Sequence, residues 1–239
     1  MRALSQKLLY HGFSKKAPFF CRQESIFSMI FPPMVFLGKT RDIMEGKGGI
    51  SMPIEIRPIL PGDAERFVDY FDRLDFAHAR EWKGCYCRYY HHAMDLSAWI
   101  SRTPETNRNE AMESIRSGKT RGFLAFDGEK CVGWLNGGPL DHYPRLTEWL
   151  LPFSQGRKFA VTICFVIDPE YRGKGLARAM LAHAIESFRD HGLAGAFALP
   201  VSGDDGGNRR YRGTMHMYQE AGYREIGTFS GAVLMQKDW

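Results

Sequence analysis

The sequence predicts an α+β fold in which strands precede and follow a central strand–helix unit. Three observations carry that reading. Residues 158–168, KFAVTICFVID, are a near-continuous apolar run, as expected of a strand buried on both faces. Directly after it, apolar residues recur at Ala177, Met180, Leu181, Ala184, Ile185 and Phe188, one stripe of a helix that Gly192 stops. Earlier in the chain, Asp127-Gly128 joins two apolar stretches, the strongest short-range signal for a hairpin.

The remaining elements follow in chain order. PIEIRPIL (53–60) alternates like a strand, Pro61-Gly62-Asp63 punctuates it, and AERFVDYFDRL continues at helical spacing. Residues 78–104 are aromatic and irregular. NRNEAMESIRSG reads as a short helix ended by Gly118, and RGFLAFDGEKCVGWLNGG supplies the two hairpin strands. The central strand feeds a helix from Tyr171 to His191, then the strand AGAFALPV. A further helix ends at Ala221-Gly222, and REIGTFSGAVLMQKDW closes the chain as a hairpin. Repeats and low-complexity tracts are absent.

The chain has 239 residues, is 44% hydrophobic and carries a net charge of +5. That charge is localised. Residues 1–51 hold eight of the 32 Lys/Arg and three of the 27 Asp/Glu, which leaves 24 of each in the other 188 residues. The neutral body disfavours nucleic acid and membrane surfaces as partners. Residues 1–51 show no sustained period and make a poor secretory signal, although their basic start loosely resembles a mitochondrial presequence. Lys47-Gly48-Gly49 stands just upstream of Met52, and its codons can contain a bacterial ribosome-binding sequence. The expectation is a leader at 1–51, disordered or not translated natively, and one domain at 52–239.

Five cysteines, at 21, 85, 87, 131 and 164, lack the spacing of a disulfide scaffold, so a reduced, cytoplasmic setting is expected. No apolar run reaches the roughly 18 residues of a spanning helix. SMIFPPMVFLG is short and is broken by Pro32 and Pro33.

EYRGKGLARAML (170–181) places Gly173 and Gly175 at the mouth of the central helix, with Arg172 and Lys174 beside them. A helix N-terminus has unpaired N–H groups and a partial positive charge, and glycine lets an anion come close. The constellation reads as a phosphate or pyrophosphate cradle. It is not a P-loop: Gly118-Lys119-Thr120 and Gly38-Lys39-Thr40 have Glu113 and Pro33 where the leading glycine is required. Nor is it a dinucleotide fingerprint, because Arg178 stands in place of the third glycine. What remains is R-x-x-G-x-A, Arg172 to Ala177, on a strand–turn–helix.

These residues resemble the GCN5-related N-acetyltransferase (GNAT) superfamily. FVIDPEYRGKGLARAMLAHAI (165–185) is similar to its acetyl-CoA-binding motif, and YQEAGYREIG (218–227) to its next motif. The segment from Trp82 to Cys87 resembles a bacterial subgroup with W-x-x-C-x-C. The resemblance covers about 52–239. It implies a mixed, mostly antiparallel central sheet, splayed after its central strand and flanked by helices. It implies acetyl-CoA as co-substrate, with backbone groups of Phe165, Val166 and Ile167 on the pantetheine. Arg172, Gly173, Lys174, Gly175, Leu176 and Ala177 would hold the pyrophosphate. The acceptor implied is a primary amine of a small molecule or protein, with a homodimer as an expected assembly.

By the same resemblance Tyr218 would be the general acid for the thiolate leaving group; packing on the sheet is the alternative. Tyr211 stands where many members have asparagine, and the central strand offers only Cys164 as an ionisable group after Lys158. The base is therefore unassigned among Asp141, His142, Glu148 and a water chain. Trp82, Tyr86, Tyr89 and Tyr90 are expected to form an aromatic wall, either over an acceptor pocket suited to a cationic small molecule or as plain packing. Cys85, Cys87, His91 and His92 offer soft ligands at a spacing too tight for easy tetrahedral closure, so no metal is expected. Asp204 and Asp205 are placed to attract an amine or to be solvated. The alternative to an enzyme is a non-catalytic acyl-CoA-binding module.

Overall fold

The computed structural model describes residues 54–77, 80–200, 210–229 and 232–239. The leader at 1–51, the expected translation start at Met52, and the loop with Asp204 and Asp205 lie outside the described residues.

The described chain forms a seven-stranded sheet between two layers of helices. In chain order the elements are β1 (Glu55–Pro58), α1 (Ala64–Arg73), α2 (Leu96–Ile100), α3 (Pro104–Arg116), β2 (Phe123–Asp127), β3 (Lys130–Pro139), α4 (Pro144–Ser154) and β4 (Phe159–Ile167). Then come α5 (Leu176–Asp190), β5 (Gly195–Ala198), α6 (Met215–Glu220), β6 (Arg224–Phe229) and β7 (Ala232–Asp238). The strand order is β1-β2-β3-β4-β5-β7-β6. Only β4 and β5 run parallel, as the intervening α5 crossover demands. The mixed, mostly antiparallel sheet expected from the sequence is thus present.

Alternate residues of each central strand serve different faces. Leu124 and Trp134 pack with α1, α3 and α4, whereas Ala125 and Leu135 pack with α5. The α5 stripe of Met180, Leu181, Ala184, Ile185 and Phe188 is buried as its spacing predicts. The helix itself begins at Leu176. Tyr171 belongs to a separate 3-10 turn, Pro169–Tyr171.

Two features of β4 position the site. Its pairing with β5 ends at Thr162↔Ala198, five residues before β4 itself ends at Ile167. Beyond β5 the chain follows β7 instead, and the Pro200 carbonyl accepts from the Val233 amide at 3.0 Å. At the same point the β3–β4 register slips: Asn136 faces Cys164, but Gly137 faces Thr162. Ile163 is therefore the extra residue of a β-bulge. The bulge inverts the alternation. Val161 and Ile163 before it, and Cys164 and Val166 after it, all face the α1–α3 layer.

Two helices escape the sequence reading. α4 has Pro144 at its first turn and Pro152 inside, and these breakers mask the buried pair Leu146 and Leu150. α2 is a five-residue helix capped by the Asp95 side chain within the aromatic segment.

The first helical layer is tied to β1 by a buried ion pair. Both Nη atoms of Arg57 reach Asp63 at 2.6 and 2.7 Å, and the Leu60 amide adds a bond of 2.8 Å. Burial alone would raise the Asp63 pKa, but the bonds from Arg57 and Leu60 outweigh it and hold it below its ordinary value. A depressed carboxylate contributes stability above its unfolded pKa of about 4, and that stability is lost as pH falls through the folded value. We expect Asp63→Asn to lower Tm at pH 7 and to shrink the loss of Tm between pH 7 and pH 3. An equal acid loss in both proteins would remove this pair from the acid response.

Candidate active site

The cradle predicted at the mouth of α5 is built as a turn, not as a continuous helix. β4 ends at Ile167, and Asp168 caps the 3-10 turn by accepting from the Glu170 amide at 3.1 Å. Arg73 and Lys130 flank Asp168 at 3.5 and 3.4 Å. The Tyr171 hydroxyl donates to Asp127 at 2.5 Å, which pins the turn to the β2–β3 hairpin. Gly173 and Gly175 then take φ of +71° and +83°, a left-handed conformation that side chains resist. A Cβ on either would meet nothing within 4 Å. Gly175 is the N-cap of α5, and no acidic residue occupies the first turn of that helix. The helix mouth therefore has open space, bare amides and no carboxylate of its own, which fits an anionic group such as a pyrophosphate. Arg172 holds the turn by donating Nε to the Ile167 carbonyl at 3.0 Å. Lys174 lies over the Tyr171 ring, 5.6 Å from its centroid.

The stretch of β4 from Ile163 to Ile167 has no β5 partner. Phe165, Val166 and Ile167, the residues expected along a pantetheine, lie in this gap. Two of their carbonyls already accept bonds from within the chain. Tyr70 donates to Val166 at 2.8 Å, and Arg172 to Ile167. Tyr218 stands at the apex of the gap. It is fully buried. Its hydroxyl donates to the Arg212 carbonyl at 3.1 Å and lies 3.0 Å from Oγ1 of Thr162, the last residue paired with β5. Burial raises its pKa, so it holds its proton at neutral pH.

On the opposite face of β4 lies a cavity of about 350 Å³. Cys164 and Val166, from the unpaired stretch, form part of its wall. The aromatic segment supplies Trp82, Tyr89 and Tyr90, as the sequence led us to expect, but not Tyr86. Tyr86 turns away, packs on Phe71 and donates to Asp72. Trp99, from α2 in the same segment, adds a further wall, as do Phe71 and Phe76, and Tyr211 comes from a part of the chain that sequence proximity does not join to it. Tyr211 meets Trp82 edge-on at 4.7 Å.

The charged residues lining the cavity are Lys83 and Arg102, both cations. Arg102 is held by Glu110, which also pairs with Arg88 and His92. Among the described residues no carboxylate or imidazole lines the cavity. The aromatic wall is therefore present without Tyr86, and the charged residues beside it, Lys83 and Arg102, are cations that disfavour a cationic ligand.

Asp141, His142 and Glu148 do not reach the cavity. Asp141 and Glu148 are exposed, and His142 lies beside Asp141. The soft-ligand cluster also disperses. His91 packs on Tyr143, and burial, with Arg88 nearby, lowers its pKa to about 3. His92 pairs with Glu110. Burial raises the Cys85 pKa to about 12, and a hydrogen bond to Cys164 together with burial raises that of Cys87. Among the described residues no group of three or more His, Cys, Asp or Glu is arranged to hold a metal ion.

Comparison with known proteins agrees with this geometry. A family model described as the acetyltransferase (GNAT) family matches residues 77–223. The GNAT domain of PAT from S. lividans is 18% identical over 79% of this chain and 92% of its own, with a TM-score of 0.51, and shares the fold. The PaiA N-acetyltransferase from Thermoplasma acidophilum, solved with coenzyme A, is 19% identical over 79% of this chain and all of its own, with a TM-score of 0.45. NAA60 from Arabidopsis thaliana, solved with acetyl-CoA, is 13% identical over 77% and 98%, with a TM-score of 0.46. A search of curated protein sequences found no match. With its motif, its parted sheet and a family match over more than half its length, the chain belongs to the GNAT acetyltransferase family and is an acetyl-CoA-dependent N-acetyltransferase.

Proposed function

We propose that the protein moves the acetyl group of acetyl-CoA to a primary amine of a small molecule seated in the cavity, by direct attack in a ternary complex. The observation that carries this is shared use of one strand. The unpaired stretch of β4 borders the gap along one edge and, through Cys164 and Val166, walls the cavity on one face. A pantetheine in the gap would thus bring its thioester to the acceptor's wall. The amides from Gly173 to Ala177 would hold the pyrophosphate, with Arg172 and Lys174 adding charge. We also place the protein in a bacterial cytoplasm, in keeping with four free cysteines among the described residues. No helix of the described residues is long and apolar enough to cross a membrane.

In this reading the chain's residues divide the work. The cavity cations disfavour an ammonium, so an amine entering beside them sheds its proton more readily. Tyr218 gives its proton to the departing thiolate. To do so the hydroxyl must turn from the Arg212 carbonyl toward the gap. Thr162, at 3.0 Å, is placed to stabilise the phenolic oxygen through that turn.

The cradle is tested with two nearly isosteric variants. Asn and Asp both tolerate a left-handed backbone better than most residues, so Gly175→Asn and Gly175→Asp differ chiefly in charge. Acetyl-CoA at about 100 times its dissociation constant should stabilise the native chain by roughly 2.7 kcal/mol. We expect Gly175→Asn to keep part of that thermal shift and Gly175→Asp to lose it. Equal shifts in the two variants would take the pyrophosphate away from this turn.

Release of CoA across a panel of primary amines tests the reaction itself. Turnover with at least one small amine is expected, and saturating binding without any turnover would favour the non-catalytic module. Tyr218→Phe should lower kcat by about 10²-fold or more, the usual range for a lost general acid, with acetyl-CoA affinity unchanged. Loss of affinity and of Tm together would make Tyr218 a packing residue only.

The missing carboxylate and imidazole predict an unusual pH profile. The rate at low acceptor concentration should rise with pH until the acceptor's own amine is neutral. Exchanging the acceptor for one of lower amine pKa should shift the profile by that difference. A profile indifferent to the acceptor would require a titrating base on the protein.

A further inference from the structure

Arg212 poses an unanswered electrostatic question. It is half-buried, and guanidinium stays charged at all relevant pH. A charge removed from water needs a counter-charge or a full set of acceptors. No carboxylate among the described residues pairs with it. Its partners are two phenols and one ring face. Nη2 donates to the Tyr90 hydroxyl at 3.0 Å, Nε donates to the Tyr211 hydroxyl at 3.2 Å, and the guanidinium lies 5.6 Å from the Tyr211 ring centre.

The direction of those bonds matters. Each phenol oxygen accepts from Arg212, so each phenol proton is left to point elsewhere. The two hydroxyls also hydrogen-bond each other, which takes up one of the two phenol protons; the other has no carbonyl or carboxylate acceptor among the described residues. Both tyrosines line the cavity, and Tyr90 is only 6% exposed. Burial raises both phenol pKa values, so both keep their protons at neutral pH. Their end of the cavity therefore holds a linked pair of phenols with one O–H free to donate and a positive charge directly behind them. The Arg212 carbonyl is the group that accepts from Tyr218, so this end also adjoins the apex of the gap.

We propose that Tyr90 and Tyr211, polarised by Arg212, receive a negatively charged oxygen at the inner end of the cavity. This rests on the acetyltransferase reading for its role, and two sources share the chemistry. One is the oxyanion that forms when the neutral amine adds to the thioester carbonyl: the C–N bond forms and the C=O electron pair moves to oxygen, the nitrogen then loses a proton to water, and collapse re-forms C=O and breaks the C–S bond, the thiolate taking its proton from Tyr218. The other is a carboxylate carried by the acceptor itself, which would make the acceptor an amino acid-like molecule. Arg212 is the positioning residue in either case, because it acts through the two hydroxyls.

The experiment uses the full chain with Tyr90→Phe, Tyr211→Phe, Arg212→Gln and Arg212→Lys. Its first arm needs no acetyl-CoA. Binding of phenylacetate and of phenylacetamide is followed by tryptophan fluorescence, since Trp82 and Trp99 line the cavity. The anion should bind about tenfold or more tightly than the amide, as hydrogen bonds to a charge are the stronger ones. The preference should vanish in Tyr211→Phe and Arg212→Gln and return in part in Arg212→Lys. Its second arm is steady-state kinetics with the best amine of the panel. A fall in kcat of about 10²-fold at unchanged KM marks the oxyanion. A rise in acceptor KM at unchanged kcat marks the acceptor's carboxylate. If the Phe variants change neither the anion preference nor either kinetic parameter, the proposal is overturned. If the protein turns over no amine, the acetyltransferase reading fails, and the first arm alone decides whether an anion is received here.

Discussion

The site depends on a single topological constraint: β4 must part from β5 while both stay rigid. A strand that loses its partner would normally fray or close up on its neighbour, because unpaired backbone groups in a sheet interior are costly. Here β4 is held from its other edge and from its faces. β3 pairs with it from Pro139↔Ala160 to Gly133↔Ile167. Tyr70, rooted in α1, donates to the Val166 carbonyl, and Arg172 folds back onto that of Ile167. β5 is drawn the other way, since the chain beyond it continues along β7 through Pro200. The parting is therefore enforced by bonds on both sides of it. The bulge at Ile163 falls at the same level, so the strand changes its twist and its facing where its partner leaves. Without that bulge Cys164 and Val166 would face α5, and the cavity would lose its β4 wall.

Much of this was legible in the sequence, and the reasons differ by element. The β2–β3 hairpin was legible because Asp127-Gly128 encodes its own turn. The β4–α5 unit was legible because a strand buried on both faces and a helical stripe have distinct signatures. The glycine turn before α5 was legible because paired glycines at a helix mouth signal left-handed backbone. α4 was not, because Pro144 and Pro152 argue locally for a loop and only burial of Leu146 and Leu150 against the sheet overrides them. The bulge was not, because a run that is apolar on both faces hides its own register. Tyr211 was not, because its meeting with Trp82 and Tyr90 is a product of topology alone.

The cavity's character also departs from what its composition suggests. Rich in tyrosine and tryptophan, the segment invites a cation–π reading. The structure gives these rings cations already. Arg145 lies 4.1 Å from the Tyr89 centroid, Arg102 lies 5.8 Å from that of Trp99, and Arg212 stands behind Tyr90 and Tyr211. Ring faces occupied by the protein's own guanidinium groups are less available to a ligand's charge. The aromatic residues then act as walls and donors rather than as a cage.

The backbone at the cavity's edge shows how firmly that arrangement is held. Tyr86 and Cys87 both have positive φ, at 44° and 53°. For residues with a Cβ this costs about 1–2 kcal/mol each. The surrounding bonds account for its persistence. Tyr143 donates to Asn136 at 3.0 Å, Asn136 donates to the Cys87 carbonyl at 3.3 Å, and Tyr86 is tied to Asp72. Asn136 is fully buried and is the register partner of Cys164. The strained turn is thus fastened to the very level at which β4 bulges and leaves β5. One buried amide thus ties the cavity wall and the gap to the same level of β4.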